Sequence, residues 1–183
     1  MLMNGAVLIF ALCCMLSLIN TQDVSLVQTV ECNYLSKKQV TDLFYLWNDA
    51  LNTLDSKKVA NRYTDDAVLL ATVSDSPRNS TALITSYFDT FLENRPQGVI
   101  MYSDPDPGCN KATDMGVYEF TFGKTGQKVK ARYSYAYRYL PATKEWKISH
   151  HHSSMMPEQF LETSSNFYSY SMILLFVLFS LLI

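Results

Sequence analysis

The pattern of apolar residues along the chain predicts three helices before its strands begin. Ser36 is a good N-cap, and the apolar residues after it recur at three- and four-residue intervals, as in an amphipathic helix. This apolar face consists of Val40, Leu43, Phe44, Trp47, Ala50, Leu51 and Leu54. Asp55 or Ser56 begins a short second helix that runs on through Val59, Ala60 and Tyr63. A third helix ends before Pro96 and carries, on one side, Leu83, Ile84, Tyr87, Phe88 and Phe91.

Strand patterns occupy the remainder of the domain. Residues 67–73 form an apolar run typical of a buried strand, and the turn-like residues 76–80 break it. Further strands joined by short, hairpin-like turns are predicted at 99–103, 115–122, 128–140 and 146–153. In the third of these, alternation places on one face Tyr133, Tyr135, Tyr137 and Tyr139. This order predicts an α+β domain whose cone-shaped, curved antiparallel sheet wraps around the long N-terminal helix and leaves a pocket at its open end.

The charged residues bound this domain. The chain has 183 residues with 15 basic and 17 acidic side chains, and a net charge of −2 gives no electrostatic basis for a nucleic-acid partner. Every charge lies between Asp23 and Glu162, so we assign residues 23–163 to a single domain. The composition is not that of a fibrous, disordered, polytopic membrane or repeat protein.

Both uncharged ends are typical of targeting segments. Residues 6–19 are apolar, and we interpret 1–22 as a removed secretory signal peptide, with a signal anchor as the alternative. Residues 164–183 begin with small residues and end in an apolar run, which favours a glycosylphosphatidylinositol (GPI) signal or a short membrane anchor. We therefore expect a protein of the secretory pathway, anchored to a membrane and facing the lumen or the outside.

Two further features fit an oxidising compartment. Asn79 begins an Asn-Ser-Thr sequon in a polar stretch, which predicts a glycosylation site. Cys32 and Cys109 remain after removal of the signal peptide, and a disulfide between them is the simplest interpretation. Two buried thiols are the alternative.

All three histidines lie together at the end of the last predicted strand, as His150, His151 and His152. Three imidazoles could hold zinc, but alternation along a strand puts His151 on the face opposite to the other two. We therefore expect no metal cofactor, although a histidine pair with a carboxylate stays open for zinc or manganese. A strand end with solvated histidines is the purely structural alternative.

One face of this strand can also place an imidazole beside a hydroxyl. Either His151 with Ser153 or His152 with Ser154 would then line the pocket. Histidine titrates near neutrality and can accept a proton without a metal. No nucleophile elbow and no glycine-rich phosphate loop is present in the sequence.

Several motifs occur in an order that resembles a known family. They are Trp47-Asn48-Asp49-Ala50-Leu51, the stretch 63–74, Ile84-x-x-Tyr87-Phe88, Gly108-Cys109-Asn110, Ala131-Arg132-Tyr133, and Trp146 followed by His150-His151-His152-Ser153-Ser154-x-Met156-Pro157-Glu158. The chain resembles the association domain of calcium/calmodulin-dependent kinase, which has the nuclear-transport-factor-2-like (SnoaL-like) cone fold. It is similar, more specifically, to the iota-class carbonic anhydrases.

This resemblance implies reversible hydration of carbon dioxide to bicarbonate. The family includes both manganese-preferring and metal-free members. The family's bicarbonate-binding threonine, tyrosine and serine fall on Thr72, on Tyr87, and on Ser153 with Ser154 as the other choice. We add His151 as the proton acceptor and Arg132 as a residue that raises anion affinity. Leu70, Phe88 and the tyrosine face are expected to supply an apolar recess for carbon dioxide.

Two other functions stay open. One is a non-catalytic module that binds a small molecule or mediates oligomerisation; whatever the function, we expect a homodimer formed through the open face of the sheet. The other is an isomerase or cyclase that uses a carboxylate base, for which no pocket-facing Asp or Glu is evident in the sequence.

Overall fold

A computed structural model describes residues 31–72 and 74–156 of the chain. The predicted signal peptide, 1–22, and the predicted C-terminal tail, 164–183, lie outside the described residues. All the helices and strands described below belong to the unit that begins at Asn33. Within the described ranges, no helix is both long enough and apolar enough to cross a membrane.

The helices begin where the capping residues predict. Ser36 and Gln39 form a reciprocal capping box at the start of α1, and Asp55 accepts hydrogen bonds from the first backbone amides of α2. Ser80 caps α3 in the same way, and a single turn of 3-10 helix follows it. The bounds are α1 Lys37–Asn52, α2 Ser56–Ala60, α3 Thr81–Phe91 and the 3-10 turn Leu92–Asn94. The predicted apolar face of α1 is buried, except that Leu54 lies beyond the helix end and is exposed.

Five strands form one sheet in the order β1-β5-β4-β3-β2. Their bounds are β1 Tyr63–Leu70, β2 Pro96–Gly108, β3 Lys111–Phe122, β4 Lys128–Leu140 and β5 Glu145–Met155. The α+β fold with a curved sheet is confirmed, and β4 has the predicted bounds. The expectation of a purely antiparallel sheet is wrong for one pair, because β1 runs parallel to β5.

The first and second strands differ most from their predicted ranges. β1 begins earlier and ends at Leu70, while β2 is 13 residues long and continues past Ser103 through Pro105 and Pro107. Proline lacks the N–H that an interior strand needs, so the sequence suggested that β2 ends before these residues. β2 is an edge strand, and an edge tolerates proline because only one side of the strand is paired.

The core lies between α1 and the inner face of the sheet. Phe44 stacks against Tyr118 and Tyr133, with ring centroids 6.1 and 6.3 Å apart. Gly98 on β2 allows this close approach, because a Cβ there would lie 3.0 Å from the Phe44 ring. Its backbone N–H donates to the Asn48 side chain of α1 at 2.8 Å. The helix is therefore fixed against the sheet by packing and by a buried hydrogen bond.

The predicted disulfide cysteines and the predicted glycosylation site both lie among the described residues. Cys32 and Cys109 are both disulfide-bonded, which confirms the predicted disulfide. Asn79 is exposed, one residue before the N-cap of α3, so its side chain is accessible.

Candidate functional site

A cavity of about 190 Å³ lies between the helices and the inner face of the sheet. Most of its wall is aromatic or aliphatic, and the polar atoms come from a few side chains. Its lining residues are Trp47, Leu69, Ala71, Thr72, Tyr87, Phe88, Phe91, Tyr118, Phe120, Phe122, Val129, Ala131, His151, Ser153 and Met155. None of these described residues carries a carboxylate, an ammonium or a guanidinium group. An apolar wall with a few convergent polar groups is typical of a small-molecule site.

Three hydroxyl groups meet at one side of this cavity. The Ser153 Oγ lies 2.5 Å from the Thr72 Oγ1 and accepts a hydrogen bond from the Tyr118 hydroxyl at 2.5 Å. Thr72 lies two residues beyond the end of β1, Tyr118 lies in β3, and Ser153 lies near the end of β5. Burial raises the pKa of Tyr118 above its usual value, so its hydroxyl keeps its proton and acts as a donor. The cluster can both donate hydrogen bonds to a ligand and accept them.

His151 is a buried part of the same cavity wall. Its Nδ1 is 2.9 Å from the hydroxyl of Tyr63, and its ring stacks on Tyr135 with centroids 4.2 Å apart. Burial lowers the pKa of His151 to about 3, with smaller contributions from His150 and His152. So low a pKa works against the proton-accepting role that the sequence suggested, because a group of this kind is a weak base near neutral pH.

Tyr87 on α3 closes another part of the wall. Its ring stacks on Phe91 with centroids 5.7 Å apart and meets Phe88 edge-on at 5.2 Å. Burial raises the pKa of Tyr87 to about 12, against the opposing effect of the nearby Arg78 guanidinium. Its phenol therefore remains protonated at neutral pH. The residues predicted from the resemblance, Thr72, Tyr87 and Ser153, thus line the same cavity.

The structure places two predicted binding residues elsewhere. Arg132 is exposed on the outer face of β4, because alternation turns it away from the buried Ala131 and Tyr133, and it donates to the carbonyl of Met155. Ser154 follows Ser153 and takes the opposite face of β5 for the same reason. Neither residue lines the cavity. Of the two pairs that the sequence left open, His151 and Ser153 line this cavity.

The apolar recess also differs in part from the one expected. Phe88 lines the cavity, but Leu70 points outward with 37 % of its surface exposed, and its neighbour Leu69 takes the inward position. The tyrosine face of β4 packs beneath α1 and does not line the cavity. Residues of β3, among them Tyr118 and Phe120, form that wall instead.

Sequence reasoning missed Tyr118, Tyr63 and Trp47 as site residues. Tyr118 has the same strand parity as Phe120 and Phe122, so alternation alone marks it as inward-facing. No sequence signal showed that its hydroxyl reaches β5. Tyr63 was assigned to the second helix and is instead the first residue of β1, where its hydroxyl meets His151.

The donor set of this cavity does not fit a metal ion. In the part of the chain that the structure describes, no group of three His, Cys, Asp or Glu side chains is arranged to hold one. Hydroxyl groups and one imidazole are also a poor match for manganese, which prefers carboxylate oxygens. We therefore derive no chemical step through a metal.

Asp114, a buried carboxylate that could be considered as a catalytic base, lies outside the cavity. Asp114 is fully buried on β3, where Ser103 donates to it at 2.7 Å and Tyr133 at 3.2 Å. Burial raises the pKa of Asp114, and these two hydrogen bonds oppose the rise. Since Asp114 does not line the cavity, it does not supply a base to a molecule bound there.

Comparison with known families and structures gives matches over the folded domain. The family model described as "Calcium/calmodulin dependent protein kinase II association domain" matches residues 36–157. A crystal structure from Xanthomonas campestris, described as such an association domain, is 43% identical with a TM-score of 0.62. The alignment covers 66% of this chain and 88% of that chain.

More distant structures share the fold. An NTF2-like protein of Pseudomonas putida is 16% identical with a TM-score of 0.56, covering 64% of this chain and 84% of that one. A ketosteroid isomerase-like protein of Erwinia carotovora is 17% identical with a TM-score of 0.53, covering 66% and 95%. Identities this low show the fold alone. No curated protein matches the chain.

Proposed function

The chain belongs to the calcium/calmodulin dependent protein kinase II association domain family, and we propose that its cavity binds a small, uncharged molecule with an apolar body and one polar end. The observation that carries this proposal is the composition of the wall. Aromatic and aliphatic side chains surround the space, while the hydroxyls of Thr72, Tyr118 and Ser153 converge on one side of it.

The charge of the cavity argues for an uncharged ligand. A buried ion is strongly disfavoured unless an opposite charge or several hydrogen bonds compensate it. The described wall offers no charged side chain, and His151 is neutral at physiological pH because burial lowers its pKa. An uncharged, largely apolar molecule gains free energy when it moves from water to this wall, and no charge has to be desolvated.

Benzyl alcohol is a suitable probe, because it combines an aromatic ring with one hydroxyl group. We expect the full-length protein to bind it in a calorimetric titration and expect Ser153→Ala to weaken binding about three- to tenfold, the value of one hydrogen bond. Ser154→Ala is the matched control, since the neighbouring serine points to the other face. Equal weakening in both variants, or no binding by the unmodified protein, would refute the proposal.

Carbon dioxide hydration is a second candidate. It is supported by one specific observation: the three hydroxyl residues implied by the resemblance to iota-class carbonic anhydrases line one cavity. Carbon dioxide is apolar and suits the wall, and hydroxyl groups can donate to bicarbonate oxygens. The product is an anion, however, and the low pKa of His151 leaves it a poor proton acceptor. For this reason we rank hydration below simple binding.

Stopped-flow measurement of pH change in carbon dioxide solution tests this activity. If the protein is a carbonic anhydrase, it accelerates the change with and without a chelator, and Thr72→Val lowers the rate at least tenfold by removing one hydroxyl. Ser154→Ala should leave the rate unchanged. A rate equal to that of buffer alone would eliminate hydration and leave the binding proposal intact.

We also propose that the domain forms a homodimer through the outer face of its sheet. The name of the matching family describes an association domain. Four large apolar side chains are exposed on β2 and β3, namely Val99, Met101, Tyr102 and Met115. Their exposed fractions lie between 46 % and 61 %, and exposed apolar side chains on neighbouring strands are typical of an interface.

The cellular location remains a proposal from the sequence, namely membrane anchorage on the lumenal or extracellular side. The disulfide and the exposed Asn79 support it, because both suit an oxidising, glycosylating compartment. A mobility shift on endoglycosidase treatment that is lost in Asn79→Gln would support the assignment. The assignment would be contradicted if the protein from its native cell had no glycan and its cysteines were free thiols.

A further inference from the structure

We infer that Trp47 and Tyr63 fix the proton of His151 on Nε2, so that the cavity presents a neutral N–H donor and selects ligands with a hydrogen-bond acceptor. This inference rests on the proposed binding function and adds the class of ligand. Trp47 and Tyr63 are positioning residues here, because they act through His151.

The direction of the hydrogen bonds follows from counting protons. The indole N–H of Trp47 can only donate, and it lies 3.0 Å from the Tyr63 oxygen, which therefore accepts it. Tyr63 has one proton of its own, and the Nδ1 of His151 is the acceptor 2.9 Å away. Nδ1 is then unprotonated, and the single proton of the neutral imidazole lies on Nε2.

The opposite tautomer satisfies fewer groups. If Nδ1 carried the proton, the Tyr63 oxygen would accept two hydrogen bonds, and the Tyr63 proton would be left with no acceptor that the structure shows. Nε2 would then be a buried lone pair without a donor. Buried polar groups without partners are costly, so the tautomer with the proton on Nε2 is favoured.

The ring has little freedom to escape this arrangement. It stacks on Tyr135 at a centroid distance of 4.2 Å and meets Trp47 nearly perpendicularly at 5.4 Å. His151 is only 3% exposed, and burial keeps it neutral by lowering its pKa to about 3. The hydrogen bond of Tyr63 to Nδ1 and the neutral state of the ring thus persist across the physiological pH range.

The Nε2 atom of His151 is the point at which this series of hydrogen bonds affects ligand binding. It is buried, and no described residue accepts a hydrogen bond from it. His151 lines the cavity, but Nε2 itself is covered by neighbouring atoms, so a bound molecule supplies the acceptor by displacing the atoms that cover it. The hydroxyls of Thr72 and Ser153 can rotate to donate or accept, whereas the fixed Nε2–H can only donate. It therefore favours uncharged carbonyl compounds, such as ketones, aldehydes and amides, over hydrocarbons of the same shape.

Long-range ¹H–¹⁵N NMR on the full chain, labelled in its histidine rings, tests the tautomer directly. The protein has three histidines, and His150→Gln and His152→Gln assign the third signal set. We expect the proton of His151 on Nε2. A proton found on Nδ1 would overturn the inference, whatever the ligand does.

Tyr63→Phe tests the positioning role, because it keeps the ring and removes the hydroxyl. We expect the pure Nε2–H tautomer to change to a mixture, while circular dichroism confirms that the variant is folded. A purely structural role for Tyr63 would leave the tautomer unchanged, and that result would also overturn the inference. If Tyr63→Phe does not fold, the spectrum of the unmodified protein still decides the tautomer.

Two probes of nearly the same shape test the selection of acceptors. Acetophenone carries a carbonyl oxygen where α-methylstyrene carries a methylene group. We expect the unmodified protein to prefer acetophenone about three- to tenfold, and Tyr63→Phe to reduce that preference. Equal affinity for both probes would overturn the selection while leaving the binding function in place. If neither probe binds, the binding function fails, and the NMR spectrum still decides the tautomer.

Discussion

At the scale of single residues, His151 shows how one position in a strand decides the chemistry of a side chain. His150 and His152 lie on the other face of β5, where His150 is half-buried and His152 is exposed. His151 turns inward and is neutral because burial lowers its pKa to about 3. Alternation predicted that His151 would differ from its neighbours, but not which face is inward. That depends on the pairing of β5 with both β1 and β4, which no local pattern encodes.

The buried histidine predicts a loss of stability in acid. Its pKa is about 3 in the folded protein and about 6.5 in the unfolded chain, so the unfolded state binds more protons between these pH values. Stability therefore rises with pH through this window and falls as the pH is lowered. At pH 5 the free energy of unfolding should be about 2 kcal/mol lower than at pH 7 on account of His151 alone.

Urea unfolding at pH 7 and pH 5 measures this contribution. We expect the difference between the two pH values to shrink by about 2 kcal/mol in His151→Gln. The matched control is His152→Gln, which alters an exposed histidine of the same strand. If both variants keep the full pH dependence, His151 is not buried as a neutral imidazole.

At the scale of elements, the helices and the β4 strand could be predicted because each follows a strong local pattern. Ser36 and Asp55 cap helices as expected, and the alternating tyrosines give β4 its bounds. β2 was underestimated because Pro105 and Pro107 oppose a strand locally, while its edge position permits one. Position in the sheet, which no single segment encodes, decided that case.

Gly116 on β3 is a point where two strands come close. β2 has an irregular register between Ile100 and Tyr102, and a Cβ on Gly116 would collide with the Tyr102 carbonyl oxygen and lie 2.9 Å from the Tyr133 hydroxyl. Gly116→Ala should therefore lower the free energy of unfolding by about 1–3 kcal/mol, since a backbone atom cannot move aside easily. Denaturant titration compares it with Met115→Ala, a truncation of the exposed neighbour. Equal stability of Gly116→Ala and the unmodified protein would show that β2 and β3 are farther apart there.

At the scale of the whole molecule, the site and the outer face of the sheet are separate surfaces of one scaffold. The site uses inward residues of β3 and β5, whereas Val99, Tyr102 and Met115 point away from the core. The family resemblance indicated Thr72, Tyr87 and Ser153, which do lie together. It did not indicate Tyr63 or Tyr118, because contacts between distant strands depend on the assembled sheet.

Association through this outer face can be tested by mass. We expect the protein to elute as a homodimer in light scattering coupled to size exclusion, and Met101→Asp to shift it toward the monomer by placing a charge in an apolar interface. Leu46→Asp changes an equally exposed apolar residue on α1 and should leave the dimer intact. A monomeric unmodified protein, or dissociation by both variants, would contradict this interface.

The two edges of the sheet bear on how the protein behaves at high concentration. On β1, the backbone of Leu69 exchanges two hydrogen bonds with Arg78, each 2.9 Å long. The outward N–H and C=O groups of Leu69 are therefore not free to pair with a strand of another molecule. On β2, Pro105 and Pro107 offer no N–H to an incoming strand. Fibril growth requires an uninterrupted ladder of backbone bonds from one chain to the next. These edges should therefore resist cross-β polymerisation, which lets the domain be concentrated without seeding amyloid.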